Sequence, residues 1–402
     1  MPLLKQRRPS LWIEIAVLVA ILAVAAVLRL VQLDAVPPGM THDEAAFGAE
    51  AERVLAGEWP IYFALGYGHE PLYAYLVAFS FSLLGPTLTA IRVTSAVCGL
   101  LVVLGTYAVA RRMYGLPTAW LAAAWMAVAF WPLSLSRQAL RAITLPMLWL
   151  PAAWCFWWGV GPALAGERGE RRAVRVVPFV AAGALLGATV YTYMASRAAW
   201  IAFPLFAAYL AVRRETRAVL ARIWPGLAAM ALAALVVAAP LLLYLRANPA
   251  AELRVEAMME PLRELLDGKP GRVARHAWNA LQLFSWQGDR FWVYNLPGRP
   301  VFDWLGSILF YAGLGIAVAR WRDSRNAFLL IWLASGMAPA MVTTTEGSFL
   351  RAIIAQPATY LFVARAIVVG GQAALRRVGA RQGWRVAARV VLLLAALALV
   401  AA

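Results

Sequence analysis

The sequence predicts an all-α, polytopic helical membrane protein. Three observations carry this: apolar runs long enough to cross a bilayer, a scarcity of charge, and basic residues gathered in the short connections between runs. Of 402 residues, 63% are hydrophobic and 14% charged, with a mean hydropathy of +0.69. A soluble chain carries about 45–50% apolar and about 25% charged residues. A crossing needs roughly 20 apolar residues, and the runs over 11–33, 93–110 and 223–244 supply them. The net charge of +17 is therefore a matter of membrane orientation, not a nucleic-acid footprint.

The N-terminal run follows Lys5, Arg7 and Arg8 and lacks a small-residue cleavage site, so an uncleaved anchor is expected. Basic tracts at Arg111-Arg112, 168–175, 213–222, 320–325 and 376–389 mark one side as cytoplasmic, with the N-terminus. Counting back from them gives about 11 spans: 11–33, 93–112, 117–135, 144–161, 176–191, 197–212, 223–244, 304–321, 326–343, 352–370 and 386–402. The run over 71–85 is too short to cross and is expected to lie on the outer surface as a partly embedded, juxtamembrane helix. The chain is expected to form one membrane domain over 1–402, with long outer loops at 34–92 and 245–303. Most acids and all three histidines fall on the outer side. Cys98 and Cys155 lie inside apolar runs, so no disulfide framework is expected.

The first outer loop holds Thr41-His42-Asp43-Glu44 and, later, His69-Glu70-Pro71-Leu72-Tyr73. Thr41 and Glu44 have the spacing of a capping box, a structural role that suits Glu44 better than Asp43. Two acid–histidine clusters on one loop also suit general-base activation of a hydroxyl. Arg137 and Arg141 flank a short outer connection; they serve as snorkelling side chains or, against the positive-inside tendency, as phosphate ligands. Tyr193, in the turn Tyr191-Thr192-Tyr193, fits either an interfacial belt or a substrate contact.

Asp43-Glu44, then Glu70-Pro71-Leu72-Tyr73, then Arg111-Arg112-Met113-Tyr114-Gly115 resemble, in this order, the GT-C glycosyltransferases. Within them the chain resembles glycosyltransferase family 39, which includes protein O-mannosyltransferases and the lipid A aminoarabinose transferase. The resemblance implies a GT-C fold and transfer of a sugar from a polyprenyl (undecaprenyl or dolichyl) phosphate donor to a hydroxyl of a protein, lipid or glycan. It places the chain in the inner membrane with its site on the outer, periplasmic face. It implies that Asp43 is the catalytic base, with Glu44 completing the catalytic motif by positioning, and that Glu70 contacts substrate. No cofactor is required by the resemblance, although some relatives hold a divalent metal, for which Glu70 and His276 are the matching residues. Arg351 matches a late-loop arginine facing the lipid phosphate, ahead of Arg137 and Arg141. Many relatives carry a second acid after the Ser136-Arg137 position, where this chain has Arg141. The element from Gly288-Asp289 to Asn295-Leu296-Pro297-Gly298 resembles one in bacterial relatives and offers Trp286 and Trp292 for stacking and Asn295 for hydrogen bonding to a sugar. Two other classes remain: a lipid or small-molecule transporter or flippase, which calls for midplane charges and repeated halves, and a non-catalytic membrane scaffold.

Overall fold

A computed structural model of the chain describes residues 10–65, 68–164, 175–344 and 348–377. Among the described residues the regular structure is helical, apart from one isolated antiparallel bridge between Phe63 and His69. Helix α1 (Leu11–Leu30) buries only Ala25 and Arg29 and turns most of its apolar surface outward, toward lipid. Helix α2 (His42–Leu55) starts on the capping box: Thr41 Oγ1 accepts the Glu44 amide at 3.2 Å, and Glu44 Oε2 accepts the Thr41 amide at 2.8 Å.

Helix α3 (Leu72–Leu84) has 13 residues. At 1.5 Å per residue that is about 20 Å, short of the roughly 30 Å hydrocarbon core. Tyr73 and Ser80 lie two turns apart on α3, yet donate to the neighbouring carbonyls of Ile91 (3.1 Å) and Ala90 (2.8 Å). Helix α3 therefore lies across the first turn of α4 (Leu88–Tyr114) instead of running beside it, as expected of an interfacial helix.

Helix α5 (Leu116–Val128) breaks at Ala129, and α6 (Phe130–Arg137) leaves it at 54°. The break strands the carbonyls of Met126 and Ala127. The fully buried Arg29 of α1 donates to both, at 2.9 and 2.7 Å, so a charge inside the membrane meets polar groups that the kink has freed.

Helices α7 (Thr144–Leu164), α8 (Val176–Ala188), α9 (Ser196–Ala199), α10 (Ala202–Val212) and α11 (Arg214–Ala247) follow. On α8, Gly183 and Gly187 stand one turn apart, and a Cβ at either would run into the backbone of Met230 or Ala234 on α11. This is the small-residue spacing that lets membrane helices approach closely where lipid supplies no hydrophobic drive. The outer segment continues as α12 (Leu253–Met258), α13 (Glu260–Leu266) and α14 (Gly271–Gln282), then irregular turns tied by Val301 to Leu283 (2.9 Å) and Gly288 to Gly298 (3.1 Å). Helices α15 (Trp304–Ala319), α16 (Ser324–Val342) and α17 (Ala355–Arg377) close the bundle. Its aromatic core centres on Trp149 and Trp332, 4.5 Å apart, whose indole N–H groups donate to Ala199 (3.2 Å) and Ile354 (2.8 Å).

The chain is thus a multi-pass helical membrane protein, with the expected count of about 11 spans not confirmed. Among the described residues six helices are long and apolar enough to cross, or seven if the bent α5–α6 pair is one span. The expected spans at 176–191, 197–212 and 304–321 form shorter apolar helices, Val176–Tyr191, Ser196–Val212 and Trp304–Ala319. The expected span at 386–402 lies outside the described residues. Cys98 and Cys155 are both free and buried.

The two ends of the bundle are chemically distinct. At one, the basic connections meet: Arg213 donates to the Arg322 carbonyl, and Arg325 to that of Met113. The outer segments gather at the other. Substituting Gly183→Ile, which drives a side chain into the α11 backbone, is expected to lower the Tm of detergent-solubilised protein by roughly 5 °C or more. Gly315→Ala, where an added Cβ meets nothing, should leave it unchanged or higher.

Candidate functional site

The site begins with what holds α2. Glu44 is fully buried and ion-paired to the equally buried Arg92 of α4 at 2.7 Å, so the next residue back, Asp43, is presented from the first helical turn, half-buried. Asp43, Phe47 and Glu50 follow at i, i+4 and i+7 and share one face of α2. Glu50 Oε1 lies 2.9 Å from His69 Nδ1, and Phe47 sits against the His69 ring at 5.4 Å. His69 is fixed a second time by its backbone bridge to Phe63.

Glu70 meets Arg141 at 3.2 Å. Their atoms are not aligned as a hydrogen bond, which leaves Arg141 Nε without a hydrogen-bond partner among the described residues. The Arg141 guanidinium lies 5.6 Å from the Tyr193 ring, and that of Arg351 lies 5.7 Å from the same ring. Among the described residues the Arg351 guanidinium donates to the thioethers of Met194 (2.6 Å) and Met258 (2.9 Å), which are weak acceptors. Two buried guanidiniums on one phenol ring, one of them backed by the Glu70 carboxylate, make a site suited to an anion.

Asp289 joins the two late loops. Its Oδ1 accepts the Phe291 amide at 2.8 Å and its Oδ2 the Phe349 amide at 2.9 Å, two residues before Arg351. Burial pushes the Asp289 carboxyl above the usual carboxylate range, against the two amides that hold it down. Tyr294 is pushed up to about 12, first by burial and then by the neighbouring Tyr193, Asp43 and Asp289, which outweigh Arg351.

These groups open on one cavity of about 580 Å³, within the range of small-ligand sites. Asp43, His69, Arg141, Tyr193, Asp289, Arg290, Tyr294 and Arg351 line it. Of the residues expected from sequence, Asp43, Arg141, Tyr193 and Arg351 thus come together, and Glu70 adjoins them through Arg141. The others are occupied elsewhere. Glu44 faces Arg92 and positions the helix start. Arg137 donates to the carbonyls of Leu28 (2.7 Å), Val31 (2.9 Å), Gln32 (3.1 Å) and Val36 (2.8 Å), capping the end of α1. Asn295 is buried and donates to Asp289 and Arg299 carbonyls, pinning its own loop. Trp286 and Trp292 are 72% and 66% exposed and stand outside the cavity lining.

His276 is buried on α14 and does not line the cavity. Among the described residues no three His, Cys, Asp or Glu side chains converge as metal ligands. With Glu70 facing Arg141, the residues do not fit a Glu70–His276 metal centre.

Glu50 was not singled out from sequence, whereas His69 figured there within an acid–histidine cluster and Asp289 within the element ending at Gly298, neither with its present role. The α2 face was the available signal for Glu50, while Asp289 shows its role only once the late loops meet. Replacing Asp289 by Asn leaves one oxygen where two amides need acceptors. Hydrogen exchange over 348–351 should then accelerate by roughly 10-fold or more, the cost of a stranded buried donor.

Comparison with known proteins places this geometry. The family described as dolichyl-phosphate-mannose-protein mannosyltransferase matches residues 68–244. The archaeal oligosaccharyltransferase AglB from Archaeoglobus fulgidus, solved with an inhibitory peptide and a dolichol-phosphate, superposes with a TM-score of 0.59 at 17% identity, over 97% of this chain and 55% of its own. ArnT from Cupriavidus metallidurans, bound to undecaprenyl phosphate, gives a TM-score of 0.56 at 18% identity, over 90% of this chain and 61% of its own. An AglB complex with Zn and sulfate gives 0.56 at 15% identity, over 96% and 52%. The chain therefore spans only about half to three-fifths of the length of these proteins. No curated relative matches its sequence. The fold is that of the GT-C membrane glycosyltransferases, and in sequence residues 68–244 resemble the protein mannosyltransferases of family 39.

Proposed function

We propose that the protein is an inverting membrane glycosyltransferase that moves a sugar from a polyprenyl-phosphate donor to an acceptor hydroxyl. The observation that carries this is the joint cavity, where a half-buried carboxylate, Asp43, shares one space with the Arg141–Tyr193–Arg351 cluster. Base and anion site are the two requirements of displacement at a sugar carbon bearing a phosphate. The polyprenyl phosphates bound by the structural neighbours support the choice of donor.

In this mechanism Asp43 takes the proton of the acceptor hydroxyl as its oxygen bonds to the anomeric carbon. The carbon–oxygen bond to phosphate breaks, and its electron pair leaves with the polyprenyl phosphate. Arg351 and Arg141 meet the charge that grows there, in a buried setting where charge-assisted bonds are strong. Glu44 and Arg92 act through α2, and Arg137 through the end of α1. The proposal includes no metal, because Glu70 is engaged by Arg141.

The orientation follows from the basic connections. The N-terminus lies in the cytoplasm, and the cavity end faces outward, toward the periplasm if the host membrane is a bacterial inner membrane. A Ser82→Cys protein tests this, since Ser82 is exposed on α3 while Cys98 and Cys155 are buried. An impermeant maleimide should label it in intact spheroplasts, and labelling only after lysis would reverse the topology.

The activity test is release of polyprenyl phosphate from a panel of polyprenyl-phosphate sugars by purified protein in nanodiscs, with a mixture of hydroxyl acceptors. Asp43→Asn is expected to retain its fold and lose transfer by about 10²-fold or more. Arg351→Ala should raise the KM for donor by roughly 10–100-fold, the worth of a charge-assisted bond. Undiminished turnover by Asp43→Asn protein would sink the mechanism.

A further inference from the structure

We propose, on the basis of the glycosyltransferase reading, that His69 is a specificity residue whose Nε2 accepts a hydrogen bond from a non-reacting hydroxyl of the sugar bound in the cavity, with Glu50 as its positioning partner.

The argument is an accounting of polar atoms. The His69 amide donates to the Phe63 carbonyl at 2.7 Å, and the His69 carbonyl accepts the Phe63 amide at 3.0 Å. Nδ1 faces Glu50 Oε1 at 2.9 Å. One polar atom remains without a partner among the described residues, Nε2, on a ring that lines the cavity. In the proposed state the ring is neutral; a carboxylate at Nδ1 only accepts, so in that state Nδ1 carries the hydrogen and Nε2 presents a lone pair. Such a nitrogen accepts from an O–H but has nothing to donate to phosphate. It therefore complements the two arginines: they take the anion, and it takes a neutral hydroxyl.

The ring is held to do this. The bridge to Phe63 fixes its backbone, Glu50 fixes its rotation, and Phe47 packs against it while also meeting Tyr73 at 5.0 Å. A contact immobilised in this way loses little freedom on binding. Glu50 is fully buried, His69 is its only hydrogen-bond partner among the described residues, and its Oε2 has none. Burying a carboxylate on such terms is costly, and an apolar pair would join α2 to this loop more cheaply. The arrangement is explained by what it does to the imidazole. Through Glu50 and Phe47 the His69 ring packs on the α2 face that carries Asp43, and both residues line the same cavity as the proposed sugar.

The experiment uses the three histidines, His42, His69 and His276, as 15N probes in full-length protein in nanodiscs. The His69 ring should show the Nδ1–H tautomer, and Glu50→Gln should abolish that preference. Undecaprenyl-phosphate hexoses should shift the Nε2 resonance, while one member of a monodeoxy series should not. In transfer assays, the unsubstituted protein should disfavour that same deoxy donor by about 10–100-fold in kcat/KM, and His69→Phe should nearly erase the difference. The opposite tautomer, an Nε2 resonance indifferent to every sugar, or a His69→Phe protein that slows all donors equally would overturn the proposal. Absence of transfer from every donor by the unsubstituted protein refutes the glycosyltransferase reading instead, and the NMR titration still decides the role of His69.

Discussion

The buried pair between Arg92 and Glu44 is the interaction on which the site depends. Arg92 reaches from α4 to Glu44 at 2.7 Å and also donates to the carbonyls of Leu33 (3.0 Å), Pro37 (2.8 Å) and Gly39. One guanidinium thus gathers the whole turn between α1 and α2. Arg137 grips the same turn from α6 through four carbonyls. Removing either partner of such a buried pair strands a charge and costs about 3–5 kcal/mol. Asp43 sits one residue from this knot, so its placement is inherited from contacts it does not itself make.

Where the chemistry was local, it was legible in the sequence. Thr41 and Glu44 announce their capping box by spacing alone, and the long apolar runs announce α1, α4, α7, α11, α16 and α17. Asp43 and Arg351 were recoverable through the motifs that resemble family 39, and Arg141 and Tyr193 because they stand in short outer connections whose side the basic tracts had set. Arg137 was not, since its role is to fill carbonyls exposed where a helix ends, and no sequence spacing records that. Arg29 is the same case: the Met126 and Ala127 carbonyls it reaches are free only because α5 breaks at Ala129, three residues before Pro132. Nor does spacing reveal that Asn295 turns into its own loop, or that Glu50 finds His69 across a bridge 19 residues away.

Arg141 gives the cavity its character. A carboxylate at that point would have added a second base; the guanidinium, backed by Glu70, adds a cation beside Arg351. Asp289 then ties the loop of 283–303 to the loop that carries Arg351, so the cavity wall is a joint between two segments remote in sequence. Both loops must be in place before the anion site exists.

Two guanidiniums on one tyrosine ring also rank the ligands of the proposed reaction. A sugar-linked polyprenyl phosphate is a phosphodiester with one negative charge, whereas the lipid phosphate left after transfer carries nearly two at neutral pH. A pair of buried cations, with no carboxylate on Arg351 among the described residues, would hold the spent carrier more tightly than the sugar-loaded one. The step that this electrostatics slows is departure of the lipid, and the turnover of the enzyme is then governed by how quickly the bilayer takes its carrier back.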